Sequence, residues 1–292
     1  MRRVYCYELR RYLEVPERVE RVVSLTPSVT AVMADLGFRE SIVGVSPWCR
    51  LLREYGVDVP DAPIVGSYAS ISVEVLKRLE PDLVLLAGGY QLRIVEDLER
   101  AGVRYFVTRL PRGLEVLEFP IEVSYAVGRV ERGFELARRG LEGLWRAREV
   151  VESLGLRGAR VLVAMMIGSD FVLPGIASHV VQCLGAAGLR VLNDRVEASY
   201  VWGEQAEGCA AELCADADLI LYQLPTLHPR EGGAKLPSAC VGKPILVLPV
   251  LALSDYSHLF LARLSKIVRC AANALERRGG YVALSASDLR IG

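Results

Sequence analysis

No stretch of this 292-residue chain is long and apolar enough to cross a bilayer. The greasiest run, Pro244 to Leu253, holds two prolines and falls short of the ~18 apolar residues a spanning helix needs. Net charge is missing as well. The 35 Lys plus Arg balance the 35 Asp plus Glu, with no dense block of one sign, so nothing recruits nucleic acid or an anionic membrane surface. Histidine is scarce: His179, His228 and His258 lie far apart, and a three-ligand metal site would need all three to converge. His228, in the loop Leu224 to Gly233, is the one placed to reach a ligand face or a cobalt ion, although a solvated loop histidine is the simpler reading. Ser178-His179 reads as a helix cap, because neither a G-x-S-x-G elbow nor a partnered acid accompanies it. No G-x-G-x-x-G or G-x-x-x-x-G-K-[ST] motif offers a phosphate cradle. The seven cysteines are odd in number and never spaced C-x-x-C, which disfavours a full disulfide framework and a zinc site. Reduced, mostly buried thiols are the simple expectation, with one disulfide left open. The segment Met1 to Tyr12 carries early basic residues but no apolar core of an export signal, so the sequence as written reads as cytoplasmic. No enzymatic constellation emerges.

What is present is enough apolar material, 52% of the residues, for two packed cores of typical domain size. Residues 1–20 predict a strand or hairpin ending at Val15-Pro16-Glu17. Val22 to Leu25 reads as a strand, and Ser28 as the cap of a helix that Gly37 stops. Strand and helix then alternate: Ile42 to Val45, a charged loop to Pro63, a helix from Ser72 to Glu80, a strand from Leu83 to Leu86, a helix from Leu92 to Ala101, and a strand from Arg104 to Thr108. That alternation predicts a parallel sheet with helices on both faces.

Apolar residues at Val123, Val127, Val130, Phe134, Ala137, Leu141, Leu144, Val151 and Leu154 recur at three- and four-residue spacing, which predicts one long helix. Its interior glycines, Gly128, Gly133, Gly140 and Gly143, each cost about 1 kcal/mol against Ala, so packing must hold it. A second α/β set follows: strands at Arg160 to Met166, Leu219 to Tyr222 and Pro244 to Leu248, with helices at Ser178 to Ala187, Glu207 to Ala215 and His258 to Arg277. The expected organisation is an N-terminal lobe over 1–115, an interlobe helix over 116–155 and a C-terminal lobe over 156–292. The fold class is α/β, two Rossmann-like lobes with parallel sheets joined by one long backbone helix.

The order and spacing of several phrases carry a resemblance. They are Arg21-Val-Val-Ser-Leu-Thr-Pro27-Ser-Val-Thr30, Val43-Gly-Val-Ser, Val65-Gly-Ser, Leu76-Lys-Arg-Leu-Glu-Pro-Asp-Leu-Val, Leu173-Pro-Gly-Ile-Ala-Ser178, Leu184-Gly-Ala-Ala-Gly188, Ala217-Asp-Leu-Ile220, Gly242-Lys-Pro-Ile-Leu-Val and Asp255 ahead of Asn273-Ala-Leu275. Over nearly its whole length the chain resembles the helical-backbone (class III) solute-binding proteins of ABC importers, most of all the cobalamin-binding members.

That resemblance implies non-catalytic capture of cobalamin or a related corrinoid in a cleft between the lobes, with no cofactor and a monomeric chain. It places Pro27, Trp48, Tyr68, Asp255 and Tyr256 on the ligand. Flat aromatic faces suit a large, largely apolar macrocycle. Tyr90, Phe171, Tyr200 and Trp202 fall in strand-end loops and join the candidates by position. The resemblance also implies docking on an ABC transporter permease through one surface glutamate per lobe. Glu74, seven residues before Pro81, matches the first. The matching place in the second lobe, seven before Ala217, is Ala210, with Glu207 and Glu212 nearby. A ferric siderophore or haem binder is the alternative, kept open by Arg50, Arg195 and Arg230. A cytoplasmic corrinoid-linked enzyme or sensor on the same scaffold is the other.

Overall fold

The structure, a computed structural model, describes residues 1–229, 236–277 and 280–291. Its contacts divide it into two compact units, Met1–Leu110 with Leu117–Arg139, and Pro111–Val116 with Gly140–Gly292. The first unit begins with an antiparallel hairpin, β1 (Arg2–Cys6) and β2 (Arg11–Val15), in which Cys6 lies opposite Arg11. Side chains alternate across a strand, so Val4, Cys6 and Val15 turn inward and are buried. Then follow β3 (Val22–Ser24), α1 (Pro27–Met33), β4 (Ile42–Val45), α2 (Pro47–Arg50), α3 (Val73–Leu79), β5 (Leu83–Ala87), α4 (Leu92–Arg100) and β6 (Tyr105–Thr108). The four strands from β3 on form a parallel sheet in the order β4-β3-β5-β6. Every residue of β3, β5 and β6 is buried, as expected of a parallel sheet covered on both faces.

Local details depart from the sequence expectation here. The cap of α1 is Thr26, not Ser28, because Pro27 takes the first helical position, where a missing N–H costs nothing. The stretch expected as plain loop before Pro63 holds α2 and a short 3-10 turn, Leu51–Tyr55, burying Cys49, Leu52 and Tyr55 at three-residue spacing. Elsewhere the caps are as read: Ser72 Oγ accepts from Val75 N at 3.3 Å and opens α3.

The single long helix is in fact two, α5 (Phe119–Val127) and α6 (Val130–Ser153). Gly128 breaks them in the left-handed region, φ 73°, and Arg129 N donates to Ser124 O at 2.8 Å to close the first helix. The remaining glycines mark close approach rather than flexibility. A Cβ on Gly133 would lie 1.9 Å from Ser124 Oγ, and one on Gly143 would lie 2.6 Å from Leu261 O. Residues of α6 up to Arg139 belong to the first unit and those from Gly140 to the second.

The second unit contains β7 (Arg160–Ile167), β8 (Asp170–Pro174), α7 (His179–Ala186), β9 (Arg190–Val191), β10 (Tyr200–Trp202), α8 (Gly203–Cys214), β11 (Leu219–Gln223), β12 (Ile245–Leu248), α9 (His258–Glu276) and β13 (Tyr281–Ala283). The sheet order is β10-β8-β7-β11-β12-β13, with the short β9 also beside β7. The strands β7, β11, β12 and β13 run parallel, but β8 and β10 are antiparallel additions that the α/β alternation did not announce. A glycine with φ 64°, Gly168, turns β7 back into β8.

Among the cysteines, Cys214 and Cys240 form a disulfide that joins the end of α8 to the segment before β12, with Cα atoms 5.2 Å apart. Cys6, Cys49, Cys183, Cys209 and Cys270 are free thiols. Among the described residues no helix is long and apolar enough to cross a membrane. Closing a loop between residues 26 apart in sequence restricts the unfolded chain. Replacing both Cys214 and Cys240 by Ser is therefore expected to cost about 3–4 kcal/mol. Urea denaturation of the oxidised protein against the double variant measures this, and coincident midpoints would count against it.

Candidate ligand-binding site

In the first unit the chain leaves β3 toward β4 on one side and later returns to β5 on the other. The gap between the carboxyl ends of β3 and β5 is therefore the switch point at which open α/β sheets hold ligands. A fully buried amide, Gln91, spans it. Its Oε1 accepts from Ala87 N at 2.8 Å, and its Nε2 donates to Leu25 O at 3.4 Å and to Ser67 O at 3.5 Å. Beside it Ser24 Oγ donates to Thr30 Oγ1 at 2.8 Å, whose own proton goes to Thr26 O at 3.0 Å. Cys49 packs under the same floor, 3.2 Å from Ser46 Oγ, and burial pushes its thiol pKa up, so it is an inert thiol rather than a nucleophile.

Four expected ligand residues lie in the segments around these strand ends. Pro27 is buried at the start of α1, and Trp48 is half-buried at the second position of α2. Tyr90 follows β5 and is 59% exposed, with the Arg93 guanidinium 5.8 Å from its ring centre. Tyr68, 38% exposed, rides a tight loop in which Ser67 N donates to Ser70 O at 2.8 Å. Gly66 permits that turn, since a Cβ there would meet Ser70 O at 2.3 Å, and the Gln91 bond to Ser67 O fixes the loop to the switch point. These four thus follow, or are tied to, the ends of neighbouring strands.

The second unit repeats the amide device. Gln223, the last residue of β11, accepts from Leu253 N at 2.7 Å and Ser254 N at 3.0 Å through Oε1. Its Nε2 donates to Ser254 Oγ at 3.2 Å. Asn193 does the same for β7, accepting from Val163 N at 2.8 Å and donating to Val163 O and Pro174 O at 2.8 and 2.7 Å. None of these amides was among the expected site residues. The available signal was a polar residue ending an otherwise apolar strand run, as in Leu219-Ile-Leu-Tyr-Gln223.

The expected second-unit residues fare unevenly. Asp255 is fully buried and forms an ion pair with the equally buried Arg263, Oδ2 to Nη1 3.2 Å. It also accepts from Ser257 N at 2.9 Å and Ser257 Oγ at 3.0 Å. Its carboxylate thus stitches the start of α9. Tyr256 is buried beside it, edge-on to His179 at 6.2 Å. Phe171 lies in the core, tilted against Tyr222 at 6.2 Å. Tyr200 is half-buried, and Trp202, at the end of β10, is 38% exposed.

Ser178 caps α7, accepting from Val181 N at 3.3 Å, and His179 follows it into the interior. His179 Nε2 lies 3.1 Å from Leu253 O and 3.2 Å from Asp255 O. Two carbonyl acceptors require the proton on Nε2, which leaves Nδ1 to accept from Tyr200 Oη at 3.4 Å. Burial holds the imidazole pKa down at about 4, so it is neutral near pH 7.

His228 is exposed, and His258 is buried at the start of α9. Arg50 donates to Ala62 O at 2.7 Å, and Arg195 pairs with Asp216 at 2.7 Å, while Arg230 lies outside the described residues. Among the described residues no group of three or more His, Cys, Asp or Glu is placed to hold a metal. Glu74 is exposed in the first turn of α3, 3.8 Å from Arg78. Glu207 is exposed on α8, whereas Ala210 is fully buried. The second residue of α8, the position Glu74 holds in α3, is Glu204.

The chain belongs to the periplasmic binding protein family, whose model matches residues 22–212. Over 116 residues it is 32% identical to a cobalamin-binding protein of Halobacterium salinarum, a match covering 38% of this chain and 29% of that relative. Over 91 residues it is 32% identical to a vitamin B12-binding protein of Yersinia pseudotuberculosis, covering 31% of each. The match thus spans less than a third of either curated relative's length. A periplasmic heme binding protein from Pseudomonas aeruginosa has the same fold, with a TM-score of 0.70 at 19% identity over 87% of this chain and 93% of that one. The α/β fold with two lobes and the solute-binding family expected from the sequence are thereby established.

The buried His179 yields a prediction about stability. Its folded pKa of about 4 lies below the ordinary 6.5, so the unfolded chain binds its proton more readily. The stability it allows is complete above about pH 6.5 and is lost progressively as pH falls toward 4. Thermal midpoints measured over that window should fall less steeply in His179→Gln than in the parent protein; parallel slopes would refute the assignment.

Proposed function

We propose that this protein binds cobalamin or a related corrinoid and hands it on unchanged to an ABC importer. The observation that carries the reading is the set of ring-bearing side chains, Pro27, Trp48, Tyr68 and Tyr90, placed on or tied to the carboxyl ends of β3, β4 and β5 around the switch point. The flat aromatic rings among them, Trp48, Tyr68 and Tyr90, match the faces of a planar macrocycle, and the loop backbone around them offers polar groups to its amide fringe. The names of the two curated relatives favour a corrinoid over haem. Trp202 and Tyr200 are further candidates in the second unit, while Phe171, Asp255 and Tyr256 serve its interior.

The chemistry of these residues suits binding rather than turnover. The thiol of Cys49 is held protonated, and the imidazole of His179 is neutral, enclosed and committed to two carbonyls. Docking is assigned to the exposed carboxylates Glu74 and Glu207, with Glu204 at the helix position equivalent to Glu74.

Titration with cyanocobalamin, followed by calorimetry and the visible corrin spectrum, is expected to show saturable one-to-one binding with an unaltered chromophore. Trp48→Ala and Tyr68→Ala should each weaken it by about 1–3 kcal/mol. Haemin and a ferric catecholate serve as competitors. Binding of haemin alone would transfer the assignment to haem, a corrin spectrum that changes with time would mark an enzyme, and unchanged affinity in both variants would remove the site.

A further inference from the structure

The N-terminal hairpin has no part in the site as described, yet its turn reaches the segment that follows β5. The hairpin is fastened along its length. Arg2 donates to Tyr125 O and Ala126 O at 3.1 and 3.0 Å, Cys6 Sγ donates to Val107 O at 3.2 Å, and Arg11 is bonded to Glu99 and Tyr105. Its turn, residues 7–10, is therefore delivered to a fixed place. There Glu8 Oε1 accepts from Gly89 N at 3.4 Å, directly beyond β5. Gly88 leaves room for that carboxylate, since a Cβ on it would lie 2.4 Å from Glu8 Oε1. The contact sets Glu8, the chain neighbour of Tyr7, against Gly89, the chain neighbour of Tyr90.

The ring of Tyr7 is held and yet uncovered. Tyr5 meets it at 5.0 Å and 86°, and the Arg109 guanidinium carbon stands 5.1 Å from its centre. Arg109 is itself fixed, its Nε 3.2 Å from Glu122 and its Nη2 3.2 Å from Glu118. Despite these neighbours Tyr7 is 56% exposed, and Leu110, which follows β6, is 41% exposed. A positioned ring that leaves most of its surface in water is what a preorganised contact surface requires, because little side-chain freedom remains to be lost on binding. Its turn is also fastened, through Glu8, to the backbone segment that carries Tyr90.

We infer that Tyr7 is a ligand-contacting residue, and that the hairpin turn forms a wall of the first unit's strand-end site against the amide-fringed corrin ring. The inference rests on the corrinoid reading given above. Glu8 is a positioning residue, acting through its bond to Gly89.

The experiment is a cyanocobalamin titration of the full chain and of Tyr7→Ala, Tyr7→Phe, Glu8→Ala and Trp48→Ala, with a thermal midpoint for each. Tyr7→Ala should raise Kd about five- to tenfold at an unchanged midpoint. Tyr7→Phe, which keeps the ring, should stay within about threefold, and Glu8→Ala should move in the direction of Tyr7→Ala by less. Unchanged affinity in Tyr7→Ala, with Trp48→Ala weakened, would overturn the hairpin's role and leave the corrinoid site standing. A parent protein that fails to bind cyanocobalamin would instead overturn the corrinoid reading, and this inference with it.

Discussion

Where parallel strands part company, the backbone groups at their ends lose the neighbours that satisfied them along the sheet, and buried N–H and C=O groups cannot be left without partners. Among the described residues side-chain amides meet this demand at Gln91 between β3 and β5, Gln223 beyond β11, and Asn193 along β7. An amide suits the task because it donates and accepts at once. Each one ties a loop to a neighbouring strand. The position of Tyr68, of the segment before Asp255 and of the end of β8 all follow from these bonds.

Much of this was legible in the sequence because burial leaves a period. The apolar runs of β5 and β11, the caps Ser72 and Ser178, and the three- and four-residue spacing through α6 each reflect a local rule, and the structure obeys them. The break at Gly128 was hidden because the apolar period continues across it, and only the backbone reveals the left-handed residue. The strands β8 and β10 escaped notice because they are short additions to a sheet whose other members alternate with helices. Side-chain roles were harder to read. Asp255 looks like a ligand-facing carboxylate until Arg263, a turn or two along α9, is seen to bury with it. Phe171 stands in a strand-end region by number, yet its side of β8 faces the core. Tyr7 was overlooked for the converse reason: nothing near residue 7 in sequence says that its turn lands beside residue 89.

The second unit shows how a polar group can be spent on architecture. A buried ion pair is a weak contributor to stability when compared with well-packed apolar residues, but losing one partner strands the other charge. Here the pair is joined by the Ser257 cap, so the start of α9, the loop after β12 and the ring of His179 share one network. A network of this kind favours a single arrangement of the loop over many of similar energy.

The amide of Gln91 has a consequence for how the molecule ages. Two of its bonds run from the nitrogen to carbonyl oxygens, those of Leu25 and Ser67. Hydrolysis of that amide would set a carboxylate oxygen against both carbonyls, turning two attractions into repulsions at a buried point. Deamidation, an invisible change of one mass unit at most surface positions, would here remove the bond that ties Ser67, the neighbour of Tyr68, to the ends of β3 and β5. The lasting placement of that residue thus depends on the chemical survival of one enclosed side chain, and enclosure, which keeps water and base from the amide, is what prolongs it.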